Sequence, residues 1–331
     1  MGIYIPTIFS KKMSLIVKSI VFDITDSCNM RCKHCYKKDT GEVLSSKDIE
    51  KFLSYIDNSN TIKNIVISGG EPLLHEDIRG ILLMLNGKYN IRLNTNGILL
   101  DKYIDVLSHM TMLKIQISLD GYDDNTYYAV RNCNGFEKAI YNAILCRENG
   151  LNVCFRTTLT QTTIDNYIKF IEISKKTKIP LKIKPMVNIE SIKAEELHIK
   201  KENLLSWYDE IEEQKYYEFV EGNLFNDNYE CSLIHDKPII STMYVTNNGN
   251  MFPCIALQNE FFKLGNIKNV DLEKMYKRMI ELRNIIKRIL NSSECEKCGY
   301  RKNIGNGKCI ASCLYGSENC FNNMIKMEYY K

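Results

Sequence analysis

The sequence contains no run approaching the ~20 consecutive apolar residues of a membrane-spanning helix. It also lacks an excess of charge of one sign, with 44 Lys+Arg against 40 Asp+Glu. A net charge of +4 spread over 331 residues argues against nucleic acid and against an anionic membrane as partners. The N-terminus, MGIYIPTIFSKKMSLIVKSIVF, has no apolar core followed by a small-residue cleavage site. It reads as mature sequence, so the protein is expected to be cytoplasmic. Low-complexity stretches and internal repeats are absent.

Cysteine, in contrast, is abundant, with 13 in the chain. In a short secreted chain this would suggest disulfides; in a long chain without a signal peptide, metal ligation is the better reading. The distribution is uneven. Cys28, Cys32 and Cys35 cluster, Cys133, Cys146 and Cys154 are scattered, and seven more lie between Cys231 and Cys320.

Up to residue 187 two patterns alternate. SIVFDIT (19–25), NIVISGG (64–70), YNIRLNTNG (89–97), LKIQISLDG (113–121), LNVCFRTTLT (151–160) and PLKIKPM (180–186) read as strands. Helical spacing fills the five intervals between them, with Ser45 or Ser46 as the first N-cap. Repeated βα units imply parallel strands joined by right-handed crossovers. Six units suit an α/β fold built as a partial (β/α)6 barrel better than a closed eight-fold one; a doubly wound sheet is also compatible. Residues 188–230 read as a linking segment with one long helix over 194–220. From 231 to 331 the character changes to a separate cysteine-rich domain. STMYVTNNGNMFPC (241–254) predicts a hairpin around an Asn-Gly turn, and 271–290 an amphipathic helix. The last 37 residues hold five cysteines and little regular pattern. Metal ligation can order such a segment where a core cannot.

In CNMRCKHCY (28–36) three thiolates fall within eight residues, just after the first strand. In an α/β barrel that is the C-terminal rim, where active sites are built. Zinc wants four ligands. A cubane iron–sulfur cluster held by three cysteines keeps one iron open for a small molecule. Further motifs follow the later strands in order. SGGEP (68–72) brings glycines that let backbone approach a ligand, and Glu71 offers a carboxylate for an ammonium. NTNG (94–97) follows the third strand. Gln116, Ser118 and Asp120 share one face of the fourth, and Cys154, Arg156 and Thr158 one face of the fifth.

CxxxCxxC with SGGEP resembles the radical S-adenosylmethionine (SAM) enzymes. The resemblance implies a [4Fe-4S] cluster on Cys28, Cys32 and Cys35 whose open iron chelates SAM. Reductive cleavage then gives a 5′-deoxyadenosyl radical that abstracts hydrogen from substrate. It implies His34 and Tyr36 bordering SAM, and Gly69, Gly70 and Glu71 holding its amino group. Asn96 would border the cofactor too, Ser118 and Asp120 would meet the ribose, and Arg156 the carboxylate. An electron donor such as flavodoxin or ferredoxin is the implied partner.

The second cysteine set resembles the SPASM extension, which carries two auxiliary iron–sulfur clusters. By that resemblance Cys295, Cys298, Cys309 and Cys320 hold the distal cluster, and Cys231, Cys254 and Cys313 the nearer one. The nearer cluster is then one cysteine short. The spacers between Cys298 and Cys309, and between Cys231 and Gly249, are longer than the family's.

Family members with this extension mostly modify peptides, so the resemblance implies oxidative modification of a peptide by crosslinking or dehydrogenation. Epimerisation, a small-molecule substrate and, in a different class, a non-enzymatic electron carrier are the alternatives. Anaerobic sulfatase-maturating members place an acid directly after the hairpin cysteine; here Ile255 stands there, and Asp236, five residues on, is the first acid after Cys231. Epimerases need a thiol, for which Cys154 is the candidate, although a lone cysteine is more often a small buried hydrophobe. The residues before the first strand are too few for a leader-binding domain. A peptide would then be recognised by the barrel or by a separate leader-binding protein.

Overall fold

The strands alternate buried apolar residues, packed under the crossover helices, with half-buried or exposed ones on the other face. The structure, a computed structural model, describes residues 16–35, 37, 40–57, 61–186, 194–220, 231–234 and 239–292. A short strand β1 (Ile16–Val17) precedes β2 (Ser19–Asp23), β3 (Asn64–Ser68), β4 (Asn90–Thr95), β5 (Leu113–Ser118), β6 (Val153–Leu159) and β7 (Leu181–Pro185). Strands β2 to β7 lie side by side in chain order, every pair parallel. A doubly wound sheet reverses its strand order at a switch point. None occurs here, so the fold is the partial barrel.

Helix α1 (Ser46–Ile56) packs back on the sheet through Ile49, Phe52 and Leu53, and Phe52 meets Phe22 of β2 edge-on at 6.2 Å. Ser45 caps it, accepting from the Asp48 N–H at 3.1 Å. Helices α2 (Ile78–Leu85) and α3 (Ile104–Leu107) cover the next crossovers. After β5 come two helices where the pattern predicts one. The additional α4 (Asp124–Arg131) starts at a capping box of Asp123 with Thr126 and stops at Asn132, in the left-handed region at φ 53°. Then follow α5 (Phe136–Glu148) and α6 (Ile168–Thr177).

The single helix expected over 194–220 is instead a short turn at Glu195–Leu197, α7 (Lys201–Glu213) and a turn at Tyr216–Phe219. Lys200 is extended and Lys215 left-handed at φ 55°, which breaks the run at both ends.

Beyond Cys231 lie β8 (Ile239–Ile240), β9 (Met243–Val245), β10 (Asn250–Phe252), β11 (Gly265–Asn266) and α8 (Leu272–Leu290). The β9–β10 hairpin turns through Gly249 at φ +83°, as its Asn-Gly signal requires. It does not stand apart from the barrel. Strand β9 pairs parallel with β2, Ile20 opposite Met243, so one sheet of nine strands runs β11-β10-β9-β2-β3-β4-β5-β6-β7. Strand β8 likewise pairs with β1. Helix α8 buries Met275, Met279, Leu282, Ile286 and Ile289, spaced four and three apart on one stripe.

A polar knot reinforces this join. The Tyr244 hydroxyl on β9 donates to Asp23 Oδ2 on β2, and Lys37 Nζ pairs with that carboxylate and donates to the Tyr244 oxygen at 2.9 Å. Asp23 is fully buried. Among the described residues no helix is long and apolar enough to cross a membrane.

Candidate active site

Parallel strands bring all their C-terminal ends to one rim, and there the predicted residues meet. A cavity of about 370 Å³ is lined by Cys28, Cys32 and Cys35 and by Gly69, Gly70 and Asn96. Ser118 and Asp120 after β5, and Arg156 and Thr158 of β6, line it as well. His34 lies among the cysteines. That volume is in the range of cofactor pockets.

The loops after β2 and β3 are zipped by backbone. Ile24 N donates to Ser68 O at 2.9 Å, Gly70 N to Thr25 O at 2.7 Å and Glu71 N to Ser27 O at 2.8 Å. Asn96 Nδ2 donates to Asn29 Oδ1 at 2.7 Å, tying the third loop to the cysteine loop. Four buried polar atoms of cavity-lining residues have no hydrogen-bond partner among the described residues: Asp26 Oδ1, His34 Nδ1, Asn94 Oδ1 and Arg131 Nε. Unmatched buried polar atoms concentrated in one pocket call for a polar ligand.

Glu71 departs from expectation. It is fully buried and does not line the cavity. Its Oε1 accepts from Leu73 N at 3.1 Å and Thr95 Oγ1 at 2.7 Å, and its Oε2 from Asn96 N at 2.8 Å. A carboxylate spent on three internal donors ties the second loop to the third and is not presented to an ammonium. What the motif offers the cavity is Ser68, Gly69 and Gly70. Glu71→Ala is therefore expected to act on stability, since three donors lose their acceptor. At ~1–3 kcal/mol for each unsatisfied buried group, the loss is at least about 3 kcal/mol. A melting temperature within about 2 °C of the parent would contradict this role.

Asp120 is equally committed. Its Oδ2 lies 2.5 Å from Arg131 Nη2 and 3.3 Å from His34 Nε2, and its Oδ1 accepts from Thr158 N at 2.7 Å. Burial alone would raise this carboxyl, but Arg131 and His34 outweigh it and hold the group below the usual carboxylate range. The side chain expected to meet a ribose thus has both oxygens engaged. Arg131 itself was not among the residues the sequence singled out. It ends α4, is buried, and reaches Cys32 Sγ with Nη1 at 3.8 Å.

Burial raises the Cys28 thiol and pushes Cys32 up to about 11, so unligated they are poor nucleophiles. Among the described residues no three His, Cys, Asp or Glu side chains converge closely enough to hold a single metal ion. Three thiols lining one cavity suit an iron–sulfur cluster held by three cysteines better than a structural zinc, which takes four ligands.

Cys154 is buried below the rim and does not line the cavity. Ile255, directly after the hairpin cysteine, does line it. Cys231 is buried in a turn and Cys254 half-buried. That turn is pinned by buried Arg283 of α8, whose Nε donates to Ser232 O at 2.8 Å. Tyr36, Asp236, Cys295, Cys298, Cys309, Cys313 and Cys320 lie outside the described residues.

Comparison with known proteins agrees with this geometry. The family model "Radical SAM superfamily" matches residues 22–177, and "SPASM: Iron-sulfur cluster-binding domain" matches 239–299. The chain belongs to the radical SAM superfamily. As a radical SAM enzyme with a SPASM domain it is catalytic, which sets aside the electron-carrier alternative.

Among curated relatives, the GTP 3′,8-cyclase of Clostridium perfringens (strain SM101 / Type A) is 28% identical over 168 residues, covering 48% of this chain and 52% of that protein. A probable GTP 3′,8-cyclase of Archaeoglobus fulgidus is 32% identical over 134 residues, covering 38% and 45%. The chain spans about half the length of the curated relatives it matches. Among solved structures, Streptococcus suis SuiB bound to S-adenosylmethionine superposes with a TM-score of 0.70 at 18% identity, over 92% of this chain and 75% of that one. anSMEcpe with bound AdoMet gives 0.70 at 17% identity, over 94% and 91%. Identities this low make these likenesses of fold.

Proposed function

We propose that this enzyme oxidises a peptide, leaving a crosslink or a dehydrogenated residue. The observation that carries the peptide reading is the likeness of fold over more than nine-tenths of the chain to SuiB and anSMEcpe. The first has been solved with a precursor peptide, SuiA, and the second with the Cp18Cys peptide.

The cavity fits the cofactors of the superfamily: three thiols and two glycines line it, and four of its lining residues carry unmatched buried polar atoms. When bound, the cluster and SAM supply a hydrogen-abstracting radical. Cys28, Cys32 and Cys35 would hold the iron. Gly69 and Gly70 present bare backbone to the amino-acid end of SAM. Ser118 and Arg156, opposite each other in the β5–β6 register, meet its ribose and carboxylate. His34 and Tyr36 would border SAM. Cys231 and Cys254 would hold the nearer auxiliary cluster with Cys313, and Cys295, Cys298, Cys309 and Cys320 the distal one, groups that would supply an electron acceptor for an oxidation. A separate leader-binding protein and a flavodoxin or ferredoxin complete the system. Ile255 in the cavity wall argues against an acid–base step from the hairpin. Cys154, off the cavity, is poorly placed to return a hydrogen atom.

A second reading, a small-molecule substrate, is favoured by the curated relatives named GTP 3′,8-cyclase. The mass of short peptides encoded beside the gene, each co-expressed anaerobically with the enzyme, separates the readings. Loss of two hydrogens per site is the expected result. An unchanged mass with one deuterium gained in heavy water would mean epimerisation. Neither mass change nor label on any peptide would shift the substrate to a small molecule.

A further inference from the structure

We propose that Arg131 is a positioning residue for the iron–sulfur centre: anchored by Asp120, its guanidinium donates to the Cys32 sulfur and sets how readily the cluster accepts an electron. This rests on the reading of Cys28, Cys32 and Cys35 as cluster ligands.

Three contacts make α4 a clamp on the cysteine loop. Lys33 N donates to Val130 O at 3.0 Å, so the loop is hung on the helix by backbone between two cysteines. The Tyr127 hydroxyl lies 4.0 Å from Met30 Sδ. Arg131 Nη1 lies 3.8 Å from Cys32 Sγ, while its Nη2 grips Asp120 at 2.5 Å. The guanidinium carbon sits 5.9 Å from the centre of the Tyr127 ring. Asp120 cannot follow a moving arginine, because Thr158 of β6 holds its other oxygen at 2.7 Å. The same carboxylate also holds His34, one residue before Cys35. A single buried acid therefore fixes the loop at His34 directly and at Cys32 through Arg131.

If Arg131 served only to neutralise Asp120, nothing would require its second nitrogen to face a sulfur. Hydrogen bonds to the sulfurs and the net charge around a cluster are among the determinants of its potential. Reduction adds one negative charge to the centre. A fixed cation in a buried setting, where water screens little, favours that reduced form.

The test is a redox titration of the full-length chain, reconstituted anaerobically without SAM. It follows the electron paramagnetic resonance signal that the Cys28→Ala/Cys32→Ala/Cys35→Ala variant lacks. Arg131→Met should keep its iron yet lower the reduced-to-oxidised ratio about tenfold at a fixed applied potential, about 59 mV for one electron. Arg131→Lys should recover much of that shift. An unchanged potential in Arg131→Met with full iron overturns the proposal. Should Arg131→Met fail to fold because Asp120 is left uncompensated, Asp120→Asn/Arg131→Met removes both charges. The double variant should shift in the same direction but less, because losing the Asp120 carboxylate offsets part of the lost cation while the hydrogen bond to the Cys32 sulfur is still gone; an unshifted or raised potential there overturns the proposal equally. A parent protein with no signal dependent on the three cysteines would overturn the cluster reading itself.

Discussion

Alanine at Cys28, Cys32 and Cys35 together is expected to leave no detectable 5′-deoxyadenosine when the protein is incubated anaerobically with SAM and dithionite. The three side chains line one cavity, and no spare thiol among the described residues lines it beside them. Removing them removes every thiol that lines the strand-end site among the described residues, and with them nearly all of a rate enhancement of ~10⁶ or more. The fold should survive. Cys35 is exposed and Cys28 and Cys32 are half-buried, so truncation opens no deep cavity. The loop keeps its backbone bonds to α4 and to the second loop, including Lys33 N to Val130 O.

Iron content makes the result specific. The parent should hold on the order of 12 irons, four per cubane, and the triple variant about eight. Loss of all iron would mean the later cysteines bind none, and a parent holding only zinc would refute the cluster reading outright. Continued formation of 5′-deoxyadenosine by the triple variant would show that these cysteines do not serve the chemistry.

The six strands were legible because each is a short β-branched run closed by glycine or polar residues, a signal contained within a few positions. The Ser45 cap and the Asn-Gly hairpin were legible for the same local reason. What was not legible depends on partners far along the chain. Strand β9 is three residues long, and nothing in MYV specifies a partner some 220 residues earlier in β2. Helix α4 buries only Tyr127, Val130 and Arg131 in eight residues, so its apolar period is too sparse to register. Arg131 was missed with it. A cation closing a short helix reads as a solvated end, and only the fold brings Asp120 and Cys32 around it. Glu71 shows the converse. Its residue type suggested a ligand, but Thr95 and Asn96 from the next loop claim its carboxylate. The break in the 194–220 helix lacked a glycine, because Lys215 itself takes the left-handed conformation.

Gly70→Ala is expected to destabilise the protein by about 3 kcal/mol or more and to weaken SAM binding at least tenfold. A Cβ on Gly70 would sit 2.4 Å from Ser27 O and 2.5 Å from Asp26 O. Both are backbone atoms, so no side-chain rotation relieves the clash. Relief requires the segment Thr25–Ser27 to swing away from the second loop. That breaks the bonds from Gly70 N to Thr25 O and from Glu71 N to Ser27 O. Two buried bonds at ~1–1.5 kcal/mol each, plus residual strain, set the stability loss. The same segment leads directly into Cys28, so the first cysteine moves with it and the cavity loses its shape. A shift of only 1.4 kcal/mol in binding is already tenfold. Gly150→Ala is the control. Gly150 is left-handed at φ +74° with nothing within 4 Å of an added Cβ, so alanine there meets only the backbone penalty of about 1–2 kcal/mol. Thermal melts with equilibrium dialysis of SAM separate the two. Gly150→Ala should melt earlier and bind SAM like the parent, whereas Gly70→Ala should lose on both counts. Equal SAM affinity in the two variants would mean that the glycine pair shapes the fold but not the cofactor site.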